Sequence, residues 1–297
     1  MNIASKKNTW TLLWLLLPGL LVYTLIAVVP IIQAAYLSLF DWNGSSSMYF
    51  LGLDNYREIF SSFSDYWNAF KNTMLYVVFC CIGQVGLGFL FAVLFINRKF
   101  RFGALFRSAL YLPCILAPVV IGFLGLMIYN PRFGLLNTLL SLVGLEHLGR
   151  DWLGDPNVVI YALIAIHIWQ FIGYYTTIFL AAAQGISPEI LEVAEIDGAV
   201  GLAKTWYVII PLLRNTIFVC LTICIAGTMK VFDQIFVMTK GGPGVASEVL
   251  ALYMYNNTFN RFRYGFGSAI SIVILLTSFV MIVIPRWLIE RRVRGVE

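Results

Sequence analysis

The sequence predicts an all-α integral membrane protein of six transmembrane helices, with a patterned polar loop at 185–211 on the cytoplasmic side. Three observations carry this. Of the 297 residues, 60% are apolar and 12% charged, with a mean hydropathy of +0.84, whereas soluble domains carry about 25% charged residues. Six apolar runs reach the ~20 residues that a helix needs to cross a bilayer. Lys and Arg are shared unevenly between the loops on alternate sides of those runs.

The runs are roughly Leu12–Leu37, Thr73–Phe95, Leu105–Tyr129, Val158–Ala183, Tyr207–Met238 and Gly267–Leu288, and together they read as one membrane domain over residues 1–297. Lys6 and Lys7 precede the first run as in a signal peptide, but the run outlasts the usual ~7–15-residue signal core, so an uncleaved first span is expected. An even number of spans places both termini on one side. With the N-terminus inside, Lys6, Lys7, Arg98, Lys99, Arg101, Arg107, Lys204, Arg214, Arg286, Arg291, Arg292 and Arg294 are cytoplasmic. Arg57, Lys71, Arg132, Arg150, Lys240, Arg261 and Arg263 are then outside. These 12 and 7, with Lys230 inside a span, account for the 20 basic residues. The excess and the densest clusters lie inside, as the positive-inside rule requires.

The outer loop 41–72 holds Phe50-Leu-Gly-Leu-Asp-Asn-Tyr56, Tyr66-Trp67 and, at its end, Lys71-Asn-Thr73. It reads as a structured cap with aromatic anchors at the interface. The loop 130–157 holds Pro131-Arg-Phe-Gly-Leu-Leu-Asn137 and Trp152-Leu-Gly-Asp-Pro156, whose Gly, Pro, Asn and Asp are turn formers. In the third outer loop, Met238-Thr-Lys-Gly-Gly-Pro243 predicts a tight turn that ends the fifth span. Ser247 is expected to cap a short helix running through Tyr253 and Tyr255 to Phe259.

The loop 185–211 is polar between two apolar runs. Gly185 suits a helix end, Ser187 a cap, Pro188 a first turn and Glu189 the positive end of the helix dipole. Gly198 weakens that helix, and Asp197 is placed to cap a successor. Pro211 suits the start of the next apolar run. The loop exposes Leu191, Val193, Ile196 and Leu202, and its small residues Ala194, Gly198, Ala199 and Gly201 let another surface come close. A docking platform explains acids, small residues and apolar residues together.

Cys80, Cys81, Cys114, Cys220 and Cys224 all lie in apolar runs without metal-ligand spacing, so they are expected to pack as small hydrophobes, and no metal is expected. Ionisable residues inside a span are costly and usually face a partner or a cavity. His167, Lys230 and Asp233 are such residues. Lys230 and Asp233, three apart, would share a helix face, either as an internal ion pair or as a contact with a polar substrate. His167-Ile-Trp-Gln-Phe-Ile-Gly-Tyr174 mixes imidazole, rings and an amide. Trp169, Phe171, Tyr174 and Tyr175 offer ring faces suited to sugar rings, and also suited to interior packing.

Glu192-Val-Ala194, then Asp197-Gly-Ala199, then Pro211 resembles the EAA loop of ABC importer permeases. That pattern reads Glu-Ala-Ala, a Gly three residues further on, and later Ile-x-x-Pro. Val193 and Val208 are mild departures from it. The three outer-loop motifs are similar to those of the carbohydrate-uptake group of ABC permeases, in its MalF-like branch, so the resemblance runs from about Leu17 to the sixth span.

The resemblance implies that the loop is a coupling helix contacting an ATPase through Glu192, Ala194, Asp197, Gly198 and Ala199. It implies a sugar path lined by His167, Phe171, Tyr174, Cys224, Thr228 and Val231. The implied function is import of a carbohydrate, an oligosaccharide, across the cell membrane of a bacterium or archaeon. The implied partners are a second homologous permease completing a heterodimer, a cytoplasmic ABC ATPase dimer and an extracellular solute-binding protein, besides the lipid bilayer. Nucleic acid is not among them. The chain has no G-x-x-x-x-G-K-[ST] loop. It is therefore expected to be non-catalytic, with no cofactor of its own, ATP and Mg being bound by the partner. An ion-gradient-driven secondary transporter would need paired ionisable groups and repeats with broken helices, for which Lys230–Asp233 is the one candidate. A membrane enzyme would need clustered His, Asp or Glu, and the only histidines are His147 and His167.

Overall fold

The computed structural model describes residues 14–45, 47–61, 65–97 and 102–294, and it describes no side chain at 97 or beyond 284. Lys6, Lys7, Leu12, Arg98, Lys99 and Arg101 lie outside the described residues, and the side chains of Arg286, Arg291, Arg292 and Arg294 lie outside the description. In chain order the elements are α1 (Trp14–Leu37), β1 (Phe40–Asp41), β2 (Tyr49–Phe50), α2 (Asp54–Ile59), α3 (Tyr66–Ile96), α4 (Gly103–Ile115) and α5 (Pro118–Ile128). They continue with α6 (Leu135–Leu142), α7 (Val159–Ala183), α8 (Pro188–Ile196), α9 (Leu202–Leu212), α10 (Arg214–Thr228), α11 (Asp233–Met238), α12 (Leu250–Tyr255) and α13 (Tyr264–Arg294).

Five stretches, α1, α3, α7, the α10–α11 stretch and Tyr264–Ile284 of α13, are long and apolar enough to cross a membrane, or six if the bent pair α4 and α5 is one span. That pair covers the third expected run, Leu105–Tyr129, and its halves meet at 104°. The break falls at Leu116–Ala117. Pro118 disfavours helical backbone at Ala117, which is extended with ψ 140°, and Pro118 then opens α5. The fifth span begins later than Tyr207, which instead lies in a π-helical turn, Thr205–Ile209. It is also interrupted after Thr228, whose hydroxyl bonds back to the Cys224 carbonyl at 2.7 Å and the Ile225 carbonyl at 3.2 Å. Such back-bonding competes with the helix ladder.

The chain, read from sequence as one domain, divides by its contacts into two compact units: residues 1–64 with 254–276, and residues 65–253 with 277–297. In the first unit, Phe40 and Asp41 pair antiparallel with Phe50 and Tyr49. The Asn55 amide donates to the Ser38 and Phe40 carbonyls at 2.8 and 3.0 Å, and the Tyr56 hydroxyl lies 2.7 Å from the Ser38 hydroxyl. Asn55 and Tyr56, the polar end of the Phe50–Tyr56 motif, therefore pin the loop to the end of α1. Arg263 grips Glu58 through two bonds of 2.7 and 2.6 Å and stacks 4.1 Å over Phe266.

The second unit packs its helices through small residues, as membrane helices do when backbones approach closely. A Cβ at Gly88 would stand 2.8 Å from Tyr175 Cβ, joining α3 to α7. One at Gly173 would strike the Leu110 carbonyl, joining α7 to α4, and one at Gly122 would stand 3.0 Å from Val237, joining α5 to α11.

The loop motifs turn out to be hydrogen-bonding devices. The Trp152 indole N–H donates to Asn137 Oδ1 at 2.8 Å, tying the two halves of the loop 130–157. The Asn72 amide donates to the Ala246 and Glu248 carbonyls, both at 2.9 Å, and the Leu250 N–H donates to Thr73 Oγ1 at 2.9 Å. The cap expected from Ser247 is a correction. Its hydroxyl bonds the Gly242 carbonyl at 2.6 Å inside the turn, and the helix start at Leu250 is capped by Thr73, 177 residues away.

Candidate functional site

The second unit holds a cavity of about 280 Å³, lined by Gln84, Cys114, His167, Phe171, Tyr174, Tyr175, Ile223, Cys224, Gly227 and Thr228. The stripe His167, Phe171 and Tyr174 follows from the helical spacing of four and three residues on α7. Cys224 and Thr228 come from the last turns of α10, just before its break. Five of the six residues expected to line a path therefore meet at one cavity. Val231 does not: it is buried in the break after Thr228, so the helical face that it was expected to share with Thr228 does not exist. Trp169 is 42% exposed and absent from the lining, whereas Tyr175 is in it. A second groove of about 630 Å³, lined among others by Arg107, Tyr111, Thr177 and Gln184, contains none of the expected path residues.

The expected pair of Lys230 and Asp233 is corrected as well. The ion pairs among the described residues are Arg57–Asp54, Lys204–Glu195 and Arg263–Glu58. Lys230 and Asp233 are both exposed. The helix stops between them, and Asp233 opens α11, so the i,i+3 geometry that would bring them together is lost.

Three glutamines organise the site, of which sequence reasoning noted Gln170 within its motif and passed over Gln84 and Gln234. Gln84 sits in a π-helical turn of α3, Cys81–Gly86, and is 2% exposed. Its amide donates to the His167 carbonyl at 3.0 Å, and its Oε1 lies 3.5 Å from Cys224 Sγ. Gln234 Oε1 lies 2.8 Å from His167 Nδ1, the Gln234 amide donates to Gln170 Oε1, and the Gln170 amide donates to the Leu116 carbonyl at 3.4 Å. Leu116 is at the break between α4 and α5. A carbonyl freed inside a membrane needs a donor, and Gln170 is that donor. The signal was present in the sequence: a buried amide in an apolar run carries a cost like that of a charge, if a smaller one. Cys114, expected only to pack, also faces the cavity. Among the described residues no group of three or more His, Cys, Asp or Glu side chains could hold a metal.

The loop after α7 forms two short helices as expected, with corrections in detail. Ser187 stands at the N-cap of α8 but makes no side-chain cap bond. Asp197 ends α8, and Gly201 stands at the cap of α9, so Asp197 is not its cap. Gly198 does not merely weaken α8; it terminates it. Its φ is +84°, with the Ala199 N–H on the Ala194 carbonyl at 2.8 Å and the Gly198 N–H on the Glu195 carbonyl at 3.1 Å. This is the Schellman closure that glycine makes cheap. Lys204 bonds Glu195 at 2.7 Å and clips α9 to α8.

The base of the loop is buried, with Ala183, Ile209 and Leu213 packed against Phe89, Ile96, Ala182 and Ile186. Its outer side is bare: Val193, Ile196, Val200, Leu202 and Trp206 are 56 to 86% exposed. Glu192, Asp197 and Gly198 are exposed, while Ala194, Ala199 and Leu191 are half-buried, the last against expectation.

Apolar spans around a small, largely uncharged cavity, with an anchored loop presenting bare apolar residues, define a membrane-embedded transport component. Residues 84–295 match the family of binding-protein-dependent transport system inner membrane components, and the chain belongs to that family. It is similar to the probable ABC transporter permease protein YurN of Bacillus subtilis (strain 168), with 34% identity over 90% of this chain and 92% of that protein. It is also similar to the arabinooligosaccharides transport system permease protein AraP of Halalkalibacterium halodurans, at 30% identity over 90% and 84%. A chain of a bacterial ABC transporter involved in import of the acidic polysaccharide alginate shares the fold, with a TM-score of 0.81, 23% identity and coverage of 97% and 98%.

Proposed function

We infer that the protein is one membrane-spanning subunit of an ABC importer for a carbohydrate, an oligosaccharide, with six spans and both termini in the cytoplasm. The observation that carries the reading is the pairing of an anchored, apolar-faced loop with a ring-lined cavity on the helix leading into it. Relatives named for sugar transport support it. The 185–211 segment acts as the coupling loop, and a cytoplasmic ABC ATPase dimer grips it, binding ATP and Mg itself. A second permease completes the pore, and an extracellular binding protein delivers the sugar. The broken spans α4–α5 and α10–α11 flank the cavity and are the elements suited to move in alternating access. Broken helices also occur in ion-driven transporters, but Lys230 and Asp233, the candidate for a coupling site, are both exposed and separated by the helix break.

Uptake of a labelled oligosaccharide by cells carrying the binding protein, the second permease and the ATPase should vanish when the ATPase is left out. Uptake that continues without it would mean a gradient-driven transporter. Reporter fusions after Arg101 and after Gly244 should report opposite sides of the membrane, and the same side for both would remove the six-span topology.

A further inference from the structure

We propose that Gln170 and Gln234 are positioning residues that hold His167 as a pure hydrogen-bond acceptor toward the cavity, so that the site takes hydroxyl groups and turns away carboxylates. The inference rests on the reading of the cavity as a sugar path. Its direction comes from one obligate acceptor. The Leu116 carbonyl can only accept, so Gln170 must present its NH2 there, at 3.4 Å. That leaves Gln170 Oε1 facing Gln234, which must therefore donate through its own NH2. Gln234 Oε1 then faces His167 Nδ1 at 2.8 Å, and only an Nδ1–H can satisfy it. A neutral imidazole has one N–H, so Nε2 keeps its lone pair.

All three side chains are buried: Gln170 is 1%, Gln234 2% and His167 9% exposed. Water is thus poorly placed to reverse the order. The Thr228 hydroxyl behaves alike, giving its proton to the Cys224 carbonyl at 2.7 Å and leaving its oxygen to accept. No Lys, Arg, Asp or Glu lines the cavity. A neutral polyhydroxylated solute brings donors to such a lining. A carboxylate brings only acceptors, which neither His167 Nε2 nor the Thr228 oxygen can answer, and no Lys or Arg in the lining offsets its charge.

The test is the tautomer. The chain has two histidines, so nitrogen-15 histidine labelling of the full chain in lipid bilayers, with His147→Gln for assignment, isolates His167 in solid-state NMR. The expected result is a protonated Nδ1 and a bare Nε2. Gln234→Leu should lose the Nδ1–H signal, and Gln170→Leu should give a mixture of tautomers. A mere packing role for the two amides would move neither signal. An Nε2–H tautomer in the unmodified chain overturns the proposal whether or not the variants fold, and so does an unchanged tautomer in Gln234→Leu.

Methyl α-glucoside should shift the Nε2 resonance at lower concentration than methyl glucuronide, whose hydroxyls can still donate but whose carboxylate finds no cation in the lining. Equal shifts would overturn the selection against carboxylates, and no shift with either would overturn the contact with hydroxyls. The sugar path itself is judged separately, by uptake in Tyr174→Ala. Normal uptake there, together with an Nδ1–H His167, would discard the path and leave the relay standing.

Discussion

Gly198→Trp is expected to abolish ATPase-driven uptake while the protein still reaches the membrane in normal amount, whereas Gly198→Ala should retain most uptake. Both variants place a side chain at φ +84° and break the same Schellman geometry. Both therefore carry the backbone cost of a left-handed residue, about 1–2 kcal/mol. They differ in bulk, which Gly198, exposed and with no atom within 4 Å of a Cβ built there, directs away from the chain. A large difference between the two must come from a surface outside the chain pressed against α8. Uptake by matched amounts of the two variants, with co-purification of the ATPase, reads it directly. If tryptophan and alanine behave alike, α8 is not where the ATPase docks.

Tyr174→Ala should reduce uptake clearly more than Val231→Ala. Tyr174 lines the cavity, and its ring stands edge-on to that of Tyr175, with centroids 5.2 Å apart. A lost stacking partner costs about 0.5–1.5 kcal/mol beyond area burial, roughly a two- to tenfold change. Val231 is buried away from the cavity, so its truncation touches packing alone. His167→Ala should be at least as harmful as Tyr174→Ala. It removes a lining group, and it leaves the Oε1 of Gln234, a residue 2% exposed, without its partner. The measurement is uptake of labelled oligosaccharide at equal membrane levels, with ATPase activity as control. That activity should partly survive, since the 185–211 loop is untouched. Wild-type uptake in both Tyr174→Ala and His167→Ala would leave the second permease as the seat of the sugar contacts.

Much of the site was legible because it obeys helix periodicity. His167, Phe171 and Tyr174 need only 3.6 residues per turn to share a face, and α7 is unbroken from Val159 to Ala183. The same arithmetic misled where the helix is not continuous. Thr228 with Val231, and Lys230 with Asp233, were placed together by a period that stops at Thr228. Gln84 and Gln234 were overlooked, and Gln170 was noted without a role, because an amide in an apolar run shows no sign in sequence of what it bonds. Gln84, Gln170 and Gln234 bond a carbonyl, a carbonyl and an imidazole on other elements, 83, 54 and 67 residues away.

Composition, apolar run length and the Lys/Arg bias were enough to predict a helical membrane protein, since the bilayer constrains every span alike whatever its neighbours. The turn chemistry of Ser187-Pro188 and Gly198 was enough to locate α8, because caps and left-handed residues act over four or five positions. The break at Leu116, the interruption after Thr228 and the capping of Leu250 by Thr73 were decided by tertiary structure alone. The Leu116 carbonyl and the Leu250 N–H take their partners, Gln170 and Thr73, from distant segments, and those contacts are settled only when the helices pack.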